Sequence, residues 1–424
     1  MIKNTTKYSD LYSWFLRGIE DRIKEYPYIK RGSFSKININ DNNTDFIKPR
    51  SIVFLGTKKK ITAVLTEKYN NAIYLFSGNS FTICGIIDFK NTNIFSLSNI
   101  NNKLFVSTDK NTVIKIFFLD SYIKTNAESE DFNEIPVIEI DDLQIQEYEI
   151  KNVRLDYDIK FITWESKHNI YSFLAWKLFT PDLWFGELTD INNILTKTFF
   201  NIKNELYPDL KFSCACFQKG QQIIYISDSG TGRVFFIPLN ERPLCGKNII
   251  GDGIKRFQLG KALDTRLNSP SSLLIYDFSE INGDLRKLFK TNIKKGANLL
   301  DSKTTDNPYY NPFLVILDNE TKIALTVSVP TDGNVFDRNS EILPLVGRLP
   351  EIIERPDQPT NLAKHPLNSI DNITLGPDGS ILFWRIGSAD MYFLDPQLEQ
   401  ILKLIKDREK TSSGYSTISL LPYT

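Results

Sequence analysis

Short apolar runs rich in β-branched and aromatic residues alternate with polar turns from about residue 51 to the end of the chain. The clearest case is residues 222–239, where Ile-Ile-Tyr-Ile and Val-Phe-Phe-Ile flank the turn Ser-Asp-Ser-Gly-Thr-Gly-Arg. Such runs on both sides of a glycine-containing turn are typical of a β-hairpin. The pattern therefore predicts strands, paired through short turns, as the main element of this chain.

Hairpin signals of this kind recur at irregular intervals that are wider than the WD repeat period. They cover residues 51–89 (four strand-like runs), 103–119, 170–188, 223–239, 313–329 and 381–394. A last strand-like run at 415–420 could complete a sheet begun near the N-terminus, because closure of a ring removes exposed sheet edges. We therefore predict an all-β fold, a closed β-propeller of about six four-stranded blades, with five or seven blades as alternatives.

Three residues around the clearest hairpin stand where a known repeat family has its signature residues. Asp228 follows the second strand, Arg233 lies in the following turn, and Pro270 precedes the next strand-like run. This order resembles the NHL-type propeller repeat, best over residues 211–329. The family's small glycine after the proline is missing, and Ser272 stands there. The resemblance implies a propeller scaffold and leaves its activity open.

A propeller fold also makes a metal site possible. Some propellers are calcium-dependent lactonases or esterases, which hold the ion with Asp, Asn and Glu at the mouth of the central channel. The candidates here would be Asp228, Asn268, Asp318 and Asp371. For Asp228 and Asp318 the alternative is a hydrogen bond that ties the hairpin, because both match a structural turn position of the repeat.

The chain divides into an N-terminal helical arm and linker at residues 1–50 and the propeller at 51–424. Within residues 9–26, apolar side chains recur at four-residue spacing, among them Leu11, Phe15 and Ile19. That spacing predicts a short amphipathic helix. Its apolar stripe either packs against the propeller or binds a partner.

Two insertions and one crossing interrupt the propeller pattern. Residues 125–149 are acidic and form either a docking edge or a solvated loop with an outer strand. Residues 282–307 carry a basic helical segment that either binds a partner or packs on a blade. Residues 344–366 are proline-rich and predict an extended crossing between blades. The basic side chains of the second insertion are Arg286, Lys287, Lys290, Lys294 and Lys295.

Composition excludes several chemistries. Lys and Arg number 51 and so do Asp and Glu, so net charge gives no argument for nucleic-acid binding. Two histidines cannot supply a three-histidine zinc site, and the cysteine spacing does not fit structural zinc. No nucleophile elbow, P-loop or dinucleotide fingerprint occurs. We expect no cofactor, and we expect the four cysteines to be buried small side chains.

These observations favour a non-catalytic propeller that serves as a protein-interaction or structural scaffold, such as a component of a virion, a phage tail or another large assembly. The alternative is a calcium-dependent hydrolase of the propeller type, so enzyme activity stays open. Partners would be other proteins, in a homo- or hetero-oligomeric assembly. The N-terminal residues are too polar for a signal peptide, and no apolar run is long enough to span a membrane, which predicts a cytoplasmic or virion location.

Overall fold

The structure is a computed structural model, which describes only part of the chain. The described residues are 29–33, 36–40, 43–46, 48–56, 60–66, 69–77, 82–117, 135–167, 170–189, 196–197, 201–202, 209–219, 222–239, 245–277, 312–329, 342–346, 370–376, 379–387 and 390–394.

The N-terminal described strands are β1 (Ile29–Ser33), β2 (Lys36–Asn40) and β3 (Asn43–Phe46), of which β2 and β3 pair only with each other. Two sheets follow, and their strands are β4 (Pro49–Leu55), β5 (Ile61–Thr66), β6 (Ala72–Ser77), β7 (Thr82–Asp88), β8 (Ile94–Ile100), β9 (Lys103–Thr108), β10 (Thr112–Ile116), β11 (Val137–Glu139) and β12 (Ile145–Glu149). Blade 1 has the order β4-β5-β6-β7-β11, and blade 2 has the order β8-β9-β10-β12.

Three further sheets use the middle of the chain. Their strands are β13 (Ile159–Lys167), β14 (Ile170–Lys177), β15 (Leu183–Leu188), β16 (Thr196–Lys197), β17 (Asn201–Ile202), β18 (Phe212–Gln218), β19 (Ile223–Asp228), β20 (Arg233–Pro238), β21 (Cys245–Ile250), β22 (Pro270–Tyr276), β23 (Phe313–Asp318), β24 (Ile323–Ser328) and β25 (Leu343–Val346). Blade 3 is β13 to β16 in chain order, blade 4 is β18 to β21 with β17 outside β21, and blade 5 is β22 to β25.

The last sheet, which we term the closing blade, combines both ends of the described chain. Its strands are β26 (Asn372–Leu375), β27 (Ile381–Trp384) and β28 (Asp390–Leu394), followed by β1. Strand β1 pairs antiparallel with β28, from Ile29 opposite Leu394 to Ser33 opposite Asp390. The N-terminal strand thereby covers an edge that would otherwise be unpaired.

The first strands of the blades form a ring. Strand β4 contacts β8, β8 contacts β13, β13 contacts β18, β18 contacts β22, β22 contacts β26, and β26 contacts β4 again. Each sheet extends outward from this ring through antiparallel neighbours. The hydrophobic core lies between the faces of adjacent blades, for example where Trp164, Tyr171 and Phe212 are all buried together. Radial sheets around a closed ring of first strands define a β-propeller.

The prediction of an all-β propeller is confirmed. The prediction that residues 51–424 alone form six complete blades is wrong. Five blades are completed by strands between Pro49 and Val346, while the closing blade takes its outer strand from the region predicted to be arm and linker. The sequence of β1 is Ile-Lys-Arg-Gly-Ser, whose single large apolar residue gives no alternating signal. Blades 1 and 4 also gain a fifth strand that pairs in parallel.

The predicted helix at residues 9–26 and the last run at 415–420 lie outside the described residues. Where the chain is described, it contains 3-10 turns such as Ile140–Asp142 and Ala262–Asp264, and no α-helix. The predicted acidic insertion at 125–149 supplies β11 to blade 1 and β12 to blade 2 in its described part. The basic insertion lies outside the described residues, as does most of the Pro-rich crossing.

One face of the propeller carries the turns that join the second strand of each blade to the third. We call it the turn face and define it by the described turn residues 69–71, 109–111, 178–182, 229–232, 319–322 and 385–387. Each turn contacts the chain just before or at the start of the next first strand. The contacts are Ile94 N to Asn70 O (2.7 Å), Leu155 N to Asn111 Oδ1 (2.7 Å), Phe179 N to Phe212 O (2.8 Å), Gly232 packed on the Leu267 carbonyl, Lys322 Nζ to Ile370 O (3.1 Å) and Gly387 N to Pro49 O (3.1 Å).

Gly232 shows why one of these contacts requires glycine. Its φ is +68°, a left-handed conformation that side chains rarely adopt, and a Cβ there would clash with the carbonyl oxygen of Leu267. The turn of blade 4 can therefore lie directly on the chain that leads into blade 5. A side chain at this position would separate the two blades.

The first strands also share a β-bulge that the sequence pattern did not reveal. In blades 1, 2, 4 and 5 the register with the second strand shifts at the same place, just after the first strand begins. The residues at the shift are Arg50, Phe95, Ser213 and Ser271. A bulge re-aims the side chain of its extra residue. Two of these residues, Phe95 and Ser213, are buried.

Candidate functional site

Asp228, the first calcium candidate, is fully buried at the end of β19. Its Oδ1 accepts hydrogen bonds from the amides of Lys211 (2.7 Å) and Gly230 (2.9 Å). Its Oδ2 accepts one from the amide of Thr231 (3.2 Å) and one from the Thr231 hydroxyl. The carboxylate thus joins the hairpin turn, through both oxygens, to the chain that leads into β18, which Oδ1 contacts at Lys211.

Asp318 repeats this arrangement one blade later. It is also fully buried, and its Oδ2 accepts from the amides of Asn268 (2.7 Å) and Ser269 (3.1 Å). Its Oδ1 accepts from the amide (3.1 Å) and the hydroxyl (3.0 Å) of Thr321. Asp228 with Thr231 and Asp318 with Thr321 therefore form one repeated motif, Asp-x-x-Thr, with four hydrogen bonds at each carboxylate.

The remaining two calcium candidates are positioned differently. Asn268 meets Asp318 through its backbone amide. Asp371 precedes β26, where its Oδ1 accepts from the side-chain amide of Asn372 (2.6 Å) and from the amide of Ile386 (3.4 Å). Burial raises the pKa of Asp371, although the nearby Lys322 ammonium acts in the opposite direction. The structure thus brings Asn268 and Asp318 together, while Asp228 and Asp371 belong to the blades on either side.

The described residues contain no group of three or more His, Cys, Asp or Glu side chains arranged to hold a metal ion. Both histidines, His168 and His365, lie outside the described residues. The two saturated aspartates act as structural ties, since each oxygen already accepts two hydrogen bonds from the chain itself.

Arg233, at the start of β20, also has a structural role. Its guanidinium donates to the carbonyl of Asp252 at 2.7 Å and lies so close to Gly253 that a Cβ there would clash with it. Arg266 forms an ion pair with Asp252 at 2.6 Å. These contacts hold the loop after β21 in one conformation, and Ile254 follows directly in that loop.

Exposed large apolar side chains are few in the described part of the chain, and most of them lie on or beside the turn face. Phe179 is 61% exposed in the turn of blade 3, and Ile386 is 38% exposed in the turn of the closing blade. Ile254 is 52% exposed, next to Lys255, whose side chain approaches the turn glycine of blade 4. Val137 is the exception, 62% exposed on the outer strand of blade 1. The three side chains on or beside the turn face belong to different loops.

Phe179 is the most unusual of these residues. Its φ is +59°, a left-handed conformation that costs a bulky residue free energy. Its backbone is nevertheless fixed, because the amide of Phe179 donates to Phe212 O at 2.8 Å and the amide of Phe212 donates to Thr180 O at 3.1 Å. The turn therefore presents an aromatic ring to solvent on a rigid base.

Sequence reasoning did not select Phe179, although a signal was present. The turn reads Lys-Leu-Phe-Thr-Pro-Asp over residues 177–182, so two apolar residues stand where a hairpin turn is normally polar. The partner-binding residues predicted instead all lie outside the described residues. They are Leu11, Phe15, Ile19, Arg286, Lys287, Lys290, Lys294 and Lys295.

The cysteines that the structure describes with side chains are free thiols. Cys214 and Cys216 project to the same side of β18, as their spacing predicts, and pack against the core between blades 4 and 5. Burial raises the pKa of both thiols, and Cys214 Sγ accepts a hydrogen bond from the amide of Leu273 at 3.4 Å. These thiols are packed, weakly acidic groups and are poorly suited to act as nucleophiles.

No protein-family model and no curated protein sequence matches this chain. Solved structures with similar folds include the Cps50 (Swd1) β-propeller domain of Myceliophteria thermophila, at 10% identity over 86% of this chain and 99% of that chain, with a TM-score of 0.46. A luciferin-regenerating enzyme matches at 7% identity over 87% and 95%, with a TM-score of 0.42. Hydrazine synthase of Kuenenia stuttgartiensis matches at 9% identity over 85% and 99%, with a TM-score of 0.42. The assignment of this chain as a β-propeller rests on its own strand order and ring of first strands.

Within the part of the chain that is described, no helix has the length and apolar character needed to cross a membrane.

Proposed function

We propose that this chain is a non-catalytic β-propeller scaffold that binds other proteins through its turn face. The observation that carries the proposal is Phe179, an exposed aromatic ring held on a backbone that is both left-handed and hydrogen-bonded on each side. Strain of this kind persists only where surrounding structure imposes it, and it concentrates at functional positions. Aromatic side chains, phenylalanine among them, are also enriched at protein interfaces.

Ile254 and Ile386 are two further exposed apolar side chains on or beside the same face. Both sit in loops that hydrogen bonds hold in place: the amide of Ile254 donates to Asp252 at 2.9 Å, and that of Ile386 donates to Asp371 at 3.4 Å. A partner that covers these side chains would bury apolar area without first having to order the loops. Preorganisation of this kind lowers the cost of binding.

The carboxylates that a propeller hydrolase would need for calcium are used in another way here. Asp228 and Asp318 are fully buried and each accepts four hydrogen bonds from nearby turns and strand starts. Their arrangement supports a rigid platform whose specificity comes from the loops displayed on it. This is the reason for preferring the scaffold over the hydrolase.

The proposal extends to the segments selected from sequence. We place a second contact surface at the arm residues Leu11, Phe15 and Ile19, and a charged one at the basic insertion around Arg286 and Lys290. A chain with several such surfaces fits a component of a larger assembly, such as a virion. These contacts would add to the turn face and would weaken with salt where they are charged.

The experiment compares two single variants of the full chain that remove equally exposed apolar side chains. Tagged wild-type protein, Phe179→Ser and Val137→Ser are each expressed in the native source and purified, and co-purifying proteins are quantified by mass spectrometry. We expect the wild-type set to be retained by Val137→Ser and lost with Phe179→Ser. Identical sets from all three proteins would overturn the proposal for the turn face.

A further inference from the structure

The loop that follows β21 carries an exposed tip beside the turn face. We call residues 251–266 the basic loop, because they contain four cationic residues and two acidic ones. Its tip is formed by Ile254, Lys255 and Arg256, which are all exposed. Within the part of the chain that the structure describes, the side chains of Lys255 and Arg256 form no hydrogen bond, ion pair or ring contact. The tip therefore presents two unpaired positive charges next to an exposed apolar side chain.

The acidic residues of the basic loop form no ion pair with its tip. Asp252 Oδ1 accepts a hydrogen bond from the amide of Ile254 at 2.9 Å, and its Oδ2 forms an ion pair with Arg266 at 2.6 Å. The carbonyl of Asp252 accepts from the Arg233 guanidinium at 2.7 Å. Asp264 lies farther along the loop, in its 3-10 turn. Asp252 therefore fixes the chain that enters the tip, while its own charge is compensated by Arg266.

The chain that leaves the tip is anchored as well. Leu259 is buried in the core between blades 4 and 5, and the partly buried Phe257 packs against the same core. The backbones of Gln258 and Arg266 exchange two hydrogen bonds, at 3.0 and 2.8 Å, which close the rest of the loop. Both sides of the tip are thus held by the propeller. A partner that covers the tip would not have to order it first, which lowers the cost of binding.

We propose that the tip of the basic loop binds an acidic segment of a partner protein, in which carboxylates flank an apolar side chain. This inference rests on the proposed function of the turn face and specifies the chemistry of the partner. Ile254 supplies the apolar contact, while Lys255 and Arg256 pair with the carboxylates. The Arg256 guanidinium can donate two parallel hydrogen bonds to one carboxylate. Complementary charge of this kind selects the partner and speeds its association.

The composition of the tip favours a protein segment over two other anionic partners. Binding to nucleic acid depends on many contacts between cationic side chains and phosphates, and the tip offers two cations. Binding to an anionic membrane depends on buried apolar area as well as charge, and the tip offers one isoleucine. A short peptide with alternating acidic and apolar side chains matches the tip in both size and charge.

The first test titrates the full-length protein into the fluorescent peptide Asp-Glu-Leu-Glu-Asp and its uncharged counterpart Asn-Gln-Leu-Gln-Asn, with anisotropy as the signal. Lys255→Gln combined with Arg256→Gln removes both charges of the tip, and Ile254→Ser removes its apolar side chain. The matched control combines Lys110→Gln with Arg154→Gln, two exposed cations at and beside the turn of blade 2.

The acidic peptide should bind the wild type more tightly than the uncharged one, and salt should weaken its binding. Loss of both tip charges should reduce the affinity by about tenfold at low salt. Ile254→Ser should also weaken binding, whereas the control should match the wild type. Failure of the acidic peptide to bind, equal affinity for the two peptides, or equal affinity of the tip variant and the wild type would each overturn the inference.

A second test separates this inference from the proposed function. The tagged full chain with both tip charges removed is expressed in the native source beside the wild type and Phe179→Ser, and co-purifying proteins are compared. We expect both variants to lose partners that the wild type retains. Partners lost with Phe179→Ser but kept without the tip charges would overturn the inference and leave the proposed function standing. Identical sets from all three proteins would overturn both.

The same variants exclude the other anionic partners. Phosphatidylserine vesicles and a single-stranded DNA oligonucleotide replace the peptide as probes. Binding of either probe that requires Lys255 and Arg256, together with no binding of the acidic peptide, would overturn the inference and assign the tip to a membrane or to nucleic acid. Binding of the acidic peptide alone would support it.

Discussion

The amide of Phe179 donates a hydrogen bond to the carbonyl of Phe212 at 2.8 Å, which joins the turn of blade 3 to the first strand of blade 4. The bond fixes an exposed aromatic residue in a left-handed conformation that its own side chain disfavours. A turn selected for stability alone would place glycine or asparagine there. The stability of this turn therefore favours glycine or asparagine at position 179, whereas the proposed binding role requires the aromatic ring.

Replacing Phe179 with glycine tests the stability of the turn and binding through the turn face separately. Phe179→Gly removes the backbone strain and retains both hydrogen bonds of the turn, so the free energy of unfolding should stay constant or rise by about 1 kcal/mol. Binding through the turn face should be lost. Denaturant unfolding and co-purification measure the two effects. A clear loss of stability would show that the ring supports the fold.

The buried aspartates should behave as structural ties. Asp228→Ala leaves the amides of Lys211, Gly230 and Thr231 without their acceptor in a partly buried turn, which should destabilise the protein by about 2 kcal/mol. Thermal and denaturant unfolding measure the loss. Asp264→Ala, at an exposed carboxylate, is the matched control and should change stability by less than about 0.5 kcal/mol. Equal effects of the two substitutions would contradict the assigned role.

The Asp371 carboxyl should make the free energy of unfolding fall as pH rises. Burial raises the pKa of its carboxyl in the folded protein above the unfolded value, so the folded state favours the protonated form. The contribution of this carboxyl to the free energy of unfolding is fully present below the unfolded pKa. It is lost as pH rises through the folded pKa. Asp371→Asn retains an acceptor for Asn372 and Ile386 and should be more stable than wild type at pH 7. The difference should vanish at pH 3, and a gain that is equal at both pH values would contradict this account.

The N-terminal segment can be divided by two deletions. Removing residues 1–28 leaves β1 in place and tests the predicted arm, so the propeller should keep its melting temperature while losing any partner that binds the arm. Removing residues 1–34 also removes β1 and leaves β28 as an unpaired edge. That second protein should melt earlier and aggregate more readily. Similar melting and solubility of the two proteins would show that β1 does not close the ring.

Hairpins were the predictable part of this fold, because Ile223–Asp228 and Arg233–Pro238 combine buried β-branched and aromatic residues with a glycine-containing turn. Sequence could not reveal β1 or β17, since Ile-Lys-Arg-Gly-Ser and Asn-Ile carry no periodic signal and are placed by their neighbours. The hydroxyl of Ser272 accepts a hydrogen bond from the amide of Ile373 at 3.1 Å and so joins blade 5 to the closing blade, a contact that the sequence pattern did not indicate.

Candidate site residues were predictable only where a local motif existed. The alternative stated for Asp228 and Asp318, a hydrogen bond that ties the hairpin, matches the contacts found, and it follows from their position at the end of a second strand.

Site-specific photocrosslinking tests the central claim most directly. The photoreactive amino acid p-benzoylphenylalanine is incorporated at position 179 in one protein and at position 137 in another, and each is irradiated in the native source. The two positions have nearly equal exposure, 61% and 62%, but lie on the turn face and on the outer edge of blade 1. The account predicts a discrete crosslinked protein from position 179 and none from position 137. No crosslink at 179, or the same products from both positions, would contradict it.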